Sequence, residues 1–222
     1  MKTLIGIVAV FVVAVGAIIV FSGDGVGGGT SAEFVLDKVS PLDHVKGLPP
    51  ARAGGAQAGN ASSKVILIEY SDFQCPACRA YYLLIRELVQ TYGDRIAIVY
   101  RHYPLKSIHV NAEPAAWASE AANNQGKFWE MHDLLFEKQA EWEKASDLKV
   151  IFSEYATLLE LDKAKFLADL DSKQVKNIVN DQRQSALKNG FNSTPTFVLN
   201  GKKIDNPPSI EAFKILLNQA IK

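Results

Sequence analysis

Cysteine is almost absent from this 222-residue chain: Cys75 and Cys78 are the only two, so no thiol remains for a framework of structural disulfides. An excess of one charge sign is missing too. The 24 Lys and Arg residues balance 24 Asp and Glu, which leaves no broad basic field for phosphates and excludes a nucleic-acid partner. Histidine is scarce, with four in all, no His-x₃₋₅-His pair and no second Cys-x-x-Cys. The chain therefore offers half of a zinc site, which His102 or His109 would have to complete, and no metal ligand set is assigned. No internal repeat points to a solenoid. What is present is 48% hydrophobic and 22% charged, the balance of a chain able to bury a core.

The apolar excess sits at the amino terminus. From Leu4 to Phe21 no charged side chain occurs, and the run to Gly23 gives about 20 residues, or ~30 Å as a helix, enough to span a bilayer. Residues 1–23 thus read as a transmembrane anchor. The alternative is a cleaved secretory signal, whose apolar region should run only ~7–15 residues before its cleavage site. Lys2 before the span keeps the amino end cytoplasmic and places the rest of the chain on the far side of the membrane. Residues 24–63 read as a flexible tether and lead-in, glycine-rich at first and ending in a loop from Leu48 to Ser63.

From residue 64 the pattern is that of an α/β domain. Val65 to Tyr70 is a short, mostly β-branched apolar run, expected of a buried strand, and Ser71 to Gln74 form a turn. Pro76 suits the first turn of a helix, whose apolar face is Tyr81, Leu84, Ile85, Leu88 and Val89, ending at Tyr92-Gly93-Asp94. Arg95 to Tyr100 is a second strand, completing a β-α-β unit. A helical subdomain is expected over about 105–190, with segments from Pro114 to Asn124, Lys127 to Lys138, Asp147 to Leu159, Lys163 to Leu170 and Ser172 to Asn189. Thr196 to Leu199 and Lys202 to Ile204 then form a hairpin around Asn200-Gly201, and a helix closes the chain from Ile210 to Ile221.

The chemistry concentrates in Cys75-Pro76-Ala77-Cys78, placed where the first strand hands over to its helix. A thiol attacks as the thiolate, and the unpaired N–H groups of a helix's first turn stabilise negative charge, which makes Cys75 the candidate nucleophile. One turn on, Cys78 stacks beneath it, close enough to close a small disulfide ring or resolve a mixed disulfide. A purely structural bridge here would be a poor stabiliser, because closing so short a loop removes little chain entropy.

Several segments together resemble the DsbA-like branch of the thioredoxin superfamily, over about residues 43–222. They are Asp43-His44-Val45-Lys46-Gly47, Glu69 to Cys78, Gln125 to Asp133, and Thr194-Pro195-Thr196-Phe197. The resemblance implies a thioredoxin fold with a helical subdomain inserted between its β-α-β and ββα halves. It makes Pro195 a cis-proline packed against the cysteine pair, and Thr194 the backbone site for an extended substrate. Pro76, Ala77 and Phe73, with Trp117 and Trp129, become candidates for the peptide groove. Glu69 becomes the buried acid that takes the proton of the resolving thiol.

The expected activity is extracytoplasmic thiol–disulfide exchange with no cofactor beyond the redox-active Cys75–Cys78 pair. Oxidation of exported, cysteine-containing proteins is expected, with a membrane redox partner for recycling. A disulfide reductase or isomerase, and a redox-inactive peptide-binding module, stay open as alternatives. Two departures from the family pattern bear on direction: Ala77 stands where a histidine would stabilise the thiolate further, and Ser193 stands where a glycine is expected.

Overall fold

A computed structural model of the chain describes residues 56–60 and 62–222. The expected anchor and most of the tether lie outside the described residues. Among the described residues no helix is long and apolar enough to cross a membrane.

The first element was not expected. Strand β1, Ala56–Gly59, falls in the stretch expected to end a loop, and it pairs antiparallel with β3, Ala97–His102. Its residues, Ala-Gln-Ala-Gly, carry no β-branched or aromatic signal, so their strand character comes from the pairing itself. Gly59 adopts φ +87, and a Cβ there would sit 2.2 Å from the Ile96 carbonyl oxygen, so only glycine permits this approach.

Strand β2, Ile66–Ser71, lies at the centre, parallel to β3 and antiparallel to β4, Thr196–Leu199. Strand β5, Lys202–Ile204, completes a mixed sheet ordered β1-β3-β2-β4-β5, joined to β4 through Asn200 and Gly201, both at positive φ as a tight hairpin demands. Helix α1, Pro76–Tyr92, crosses from β2 to β3 and ends at Gly93, followed by one 3₁₀ turn that delays β3 by two residues relative to the sequence expectation.

Between β3 and β4 the chain is helical: α2, Ala112–Asn123; α3, Phe128–Glu137; α4, Gln139–Trp142; α5, Leu148–Leu158; α6, Lys163–Asp171; and α7, Lys173–Lys188. Helix α2 starts two residues before Pro114, which fits because the first N–H groups of a helix have no intrahelical partner to lose. Side chains cap the later helices: Asp147, Asp162 and Ser172 accept from Val150, Lys165 and Val175 N–H. Each such cap is worth about 1 kcal/mol. Helix α8, Ile210–Ile221, comes after the hairpin and is capped the same way by Ser209.

Strand alternation divides the sheet's two faces. Leu67 packs into the large core with Leu88, Ile98 and Phe197, on the side of α1 and α8. Tyr70 points the other way, into a smaller cluster with Tyr103, Ala186 and Phe191, and its hydroxyl meets Ser185 of α7. Helix α8 is tied to α1 by the Tyr92 hydroxyl donating to the Lys214 carbonyl and by the Lys214–Glu87 ion pair. Glu69 and Ser71, in phase with Leu67, therefore face α1 from a central strand.

Candidate functional site

The turn between β2 and α1 carries the site. Cys75 is the N-cap of α1, with extended backbone and no side-chain capping bond, and Pro76 occupies the first helical position. The Cys75 carbonyl accepts the first helical bond from Arg79 N–H at 3.1 Å, which fixes the thiol over the N-terminal end of the helix. Both cysteines are buried and free, while Pro76 and Ala77 between them are exposed.

Thr194-Pro195 has a cis peptide bond and lies against the cysteines: the Cys75 thiol donates to the Thr194 carbonyl at 3.5 Å. The Cys78 thiol is the largest influence on Cys75, whose pKa its hydrogen bond holds down to about 6 against the usual 9. Burial opposes this, and the Thr194 hydroxyl with the N–H groups of Cys78 and Ala77 adds to the lowering. Cys78 shifts the opposite way, well above 9, through burial, its bond to Cys75 and the charges of Cys75 and Glu69. The two thiols are thus electrostatically unequal: the outer one ionises readily and the inner one keeps its proton.

Glu69 lies beneath them at 2% exposure. Burial pushes its carboxyl from 4.5 to about 7, with the Ser71 hydroxyl bond at 2.7 Å pulling the other way and the Cys75 charge adding to the rise. The sequence placed this acid near the pair by family resemblance, and the structure brings it to the same face as Cys78.

Other sequence candidates lie elsewhere. Phe73, expected at the groove, is 1% exposed and stacks on Tyr100 at 5.1 Å, with Phe136 at 5.0 Å. It is a core side chain, because the turn after β2 directs it into the space between sheet and inserted helices. Trp129 is buried as well and its indole donates to the Gln57 carbonyl of β1 at 2.8 Å. Trp117 is half-buried beside a cavity of about 310 Å³ between α2, α5 and α6. His102 and His109, the candidates for zinc, instead meet Glu120 at 2.9 Å and Asp72 at 2.8 Å. Among the described residues no group of three or more His, Cys, Asp or Glu side chains could hold a metal ion.

Three site residues escaped the sequence. Asp72 is 1% exposed and its backbone N–H donates to Cys78 Sγ at 3.5 Å. Its carboxylate accepts from Gln74 N–H, Leu105 N–H and His109, each at 2.8 Å, and so ties the turn to the loop after β3. Ser71 and Tyr100 line the chamber around Glu69, each 1% exposed. For Ser71 a signal existed: it stands two residues from Glu69 on one strand and therefore shares its face.

A cysteine pair at the start of the helix of a β-α-β unit, faced by a cis-proline that opens an antiparallel strand of the same sheet, defines a thioredoxin-class domain, here with six helices inserted. A family model described as Thioredoxin matches residues 52–219, and the chain belongs to that family.

Among solved structures, the oxidised form of BdbD from Bacillus subtilis superposes with a TM-score of 0.69 at 21% identity, over 81% of this chain and 98% of that one. Alpha-DsbA1 from Wolbachia pipientis gives 0.67 at 21% identity, over 78% and 93%. A curated relative, Na(+)/H(+) antiporter NhaA 3 from Salinispora tropica, is 34% identical over 194 residues, which is 86% of this chain and 27% of the antiporter. The chain thus spans about a quarter of the length of the curated relatives it matches.

Proposed function

We propose that the protein is a thiol–disulfide oxidoreductase that works chiefly as an oxidase, exchanging its Cys75–Cys78 disulfide into cysteine-containing substrates outside the cytoplasm. The observation that carries this reading is the inequality of the two thiols beside the cis-proline: Cys75 with its pKa near 6, Cys78 well above 9. In the oxidase direction a substrate thiolate attacks Cys75 Sγ, the Cys75–Cys78 bond breaks, and its electron pair leaves on Cys78, which takes up a proton. The substrate's second thiolate then attacks the substrate sulfur of the mixed disulfide, and Cys75 leaves as a thiolate already stabilised by its surroundings. A good leaving thiolate stabilises the reduced protein and makes the disulfide oxidising, which favours oxidation over reduction.

The exposed Pro76 and Ala77 and the Thr194 backbone would receive the substrate, an extended segment paired beside Pro195. Glu69 would take and return the Cys78 proton, and the redox-active pair would serve without a further cofactor. The apolar run of residues 1–23 supports membrane attachment and an extracytoplasmic body, which calls for a membrane redox partner to reoxidise the dithiol. Sodium–proton exchange, which names the curated relatives, is not proposed for a chain that spans a quarter of them.

The test is the equilibrium reduction potential of the pair against glutathione, read by counting alkylated thiols by mass spectrometry. A potential above about −220 mV is expected of an oxidase. One below the glutathione couple would overturn the direction in favour of a reductase. Turnover of a dithiol substrate must vanish in Cys75→Ser, and turnover that survives would leave only a peptide-binding module.

A further inference from the structure

Strand β2 ends at Ser71, whose carbonyl still accepts from Tyr103 N–H at 2.7 Å. Asp72 is the first residue past this ladder, and its N–H turns away from the sheet to donate to Cys78 Sγ at 3.5 Å. Every other polar group of Asp72 is tied as well. Its carbonyl accepts from Cys75 N–H at 3.1 Å and its Oδ1 from Gln74 N–H at 2.8 Å. Its Oδ2 accepts from Leu105 N–H and from His109 Nδ1, each at 2.8 Å. The wholly buried carboxylate is thus clamped both from within the turn and from the loop after β3. Cys78 has no access to water either, at 0% exposure. A sulfur that leaves as a thiolate in so dry a place needs a donor already in position, because an unpaired charge out of water is costly.

We propose that Asp72 is a catalytic residue through its main-chain N–H, which stabilises Cys78 as the leaving thiolate, and that His109 is the positioning residue that holds it there. The inference rests on the proposed function, in which a substrate thiolate attacks Cys75 and Cys78 leaves. In that step a bond forms between the substrate sulfur and Cys75 Sγ, the Cys75–Cys78 bond breaks, and its electron pair goes to Cys78 Sγ beside the Asp72 N–H. The charge of the attacking thiolate is thereby carried to Cys78, and no outside oxidant or reductant is needed. Cys75 cannot serve as the donor, because its sulfur is bonded first to Cys78 and then to substrate and carries no proton. The Asp72 contact is present with both cysteines free, the state in which Cys78 has left. No tie on the Asp72 side chain involves either sulfur, so the donor is in place as the bond opens.

Opening and closing of the disulfide are one step run in two directions, so the donor acts on Cys78 in both. The reduced full chain, mixed with excess 5,5′-dithiobis(2-nitrobenzoate), isolates the closing. Attack by Cys75 releases the first nitrothiolate at a rate proportional to reagent, and attack by Cys78 releases the second at a rate independent of it. The chain is compared with one joined at Cys75 in which an ester replaces the Ser71–Asp72 amide, which removes the N–H and keeps the carboxylate. An N–H bond to a charged acceptor shifts that acceptor's ionisation about 10- to 100-fold. About half of this on a logarithmic scale reaches the rate of thiolate exchange, so the ester should slow the second phase about 3- to 10-fold. The first phase should keep its rate and its pH midpoint near 6, because Asp72 is not among the groups that set Cys75. His109→Ala should slow the second phase in the same selective way.

A second phase unchanged in the ester overturns the catalytic N–H. Equal slowing of both phases, with the Cys75 midpoint displaced, overturns it too, since a turn that has merely loosened would act on both sulfurs. An unchanged second phase in His109→Ala overturns the positioning role. Should the ester chain not fold, His109→Ala decides alone, and selective slowing of its second phase is the result expected. Cys78→Ser must release one nitrothiolate only. A second equivalent from that variant would remove the role of Cys78 itself, and is thereby distinguished from failure of Asp72.

Discussion

Glu69→Gln should stabilise the protein, and only at the pH where the wild-type carboxylate is charged. Glu69 titrates near 7 in the folded protein and near 4.5 when exposed, a difference caused chiefly by burial. Below 4.5 both states hold the proton and the group contributes nothing to the pH dependence. Between 4.5 and 7 the unfolded chain releases its proton while the folded one retains it, so stability falls as pH rises, and above 7 the loss is complete. At 1.36 kcal/mol per unit the loss approaches ~3 kcal/mol. Glutamine has nearly the same shape and can still accept from Ser71, but carries no charge to bury. It should match wild type at pH 4 and exceed it by ~2–3 kcal/mol at pH 8.5, or roughly 5–10 °C in Tm for a domain of this size.

Guanidinium denaturation from pH 4 to 8.5 under reductant measures this difference. Cys75 works in the opposite sense, since its folded pKa lies below the ordinary thiol value and its contribution is lost as pH falls through 6. It is common to both proteins and largely cancels on subtraction. A difference between variant and wild type that stays constant across the range would refute the assignment of a titrating, buried carboxyl at Glu69. The same variant should resolve mixed disulfides more slowly, trading stability for proton transfer.

Three other perturbations test separate parts of the site. Cys78→Ala should move the midpoint of Cys75 alkylation by iodoacetamide upward from about 6, because the Cys78 hydrogen bond is the main lowering influence; an unmoved midpoint would assign the effect to Thr194 and the helix terminus. His109→Ala removes one partner from the buried Asp72 carboxylate and should cost roughly 1–3 kcal/mol in urea denaturation, and a loss below ~0.5 would show that the loop holds without it. Gly59→Ala forces a side chain against the Ile96 carbonyl at positive φ, so Tm should fall by several degrees through loss of β1, and an unchanged Tm would show that the edge strand adds little.

The parts of this fold that were legible in the sequence are those whose pattern is local. The short apolar run Val65–Tyr70 and the three- and four-residue spacing from Tyr81 to Val89 are each read within one element, and both elements lie where expected. The strand Ala56–Gly59 carried no such pattern, since its order comes from β3, about 40 residues away in sequence. Phe73, a groove candidate in the sequence, is instead a fully buried core side chain. The turn points it inward, onto Tyr100. The bond between Asp72 and His109 spans 37 residues and no spacing rule reaches it. Ser71, by contrast, could have been found from strand period alone, once Glu69 was placed on the α1 face.

The inserted helices bear on the chemistry through the turn they hold. Gln139 donates to the Phe73 carbonyl at 2.7 Å and to the Cys75 carbonyl at 3.3 Å. Asn111 N–H donates to the Gln74 side chain at 2.7 Å, while that side chain donates to the Glu143 carbonyl at 2.9 Å. Residues 72–75 are therefore bonded from α4, from the loop after β3, from the loop after α4 and from α1. A turn bonded from so many sides leaves Cys75 little freedom to move away from Thr194, so its reactivity is set by fixed neighbours and not by solvent rearrangement. What stays exposed is a narrow rim: Pro76, Ala77 and, across the site, Ser193. The two departures from the family pattern, Ala77 and Ser193, both fall on that rim. Under the proposed function, substitution there would retune leaving-group strength and substrate approach without disturbing a buried contact.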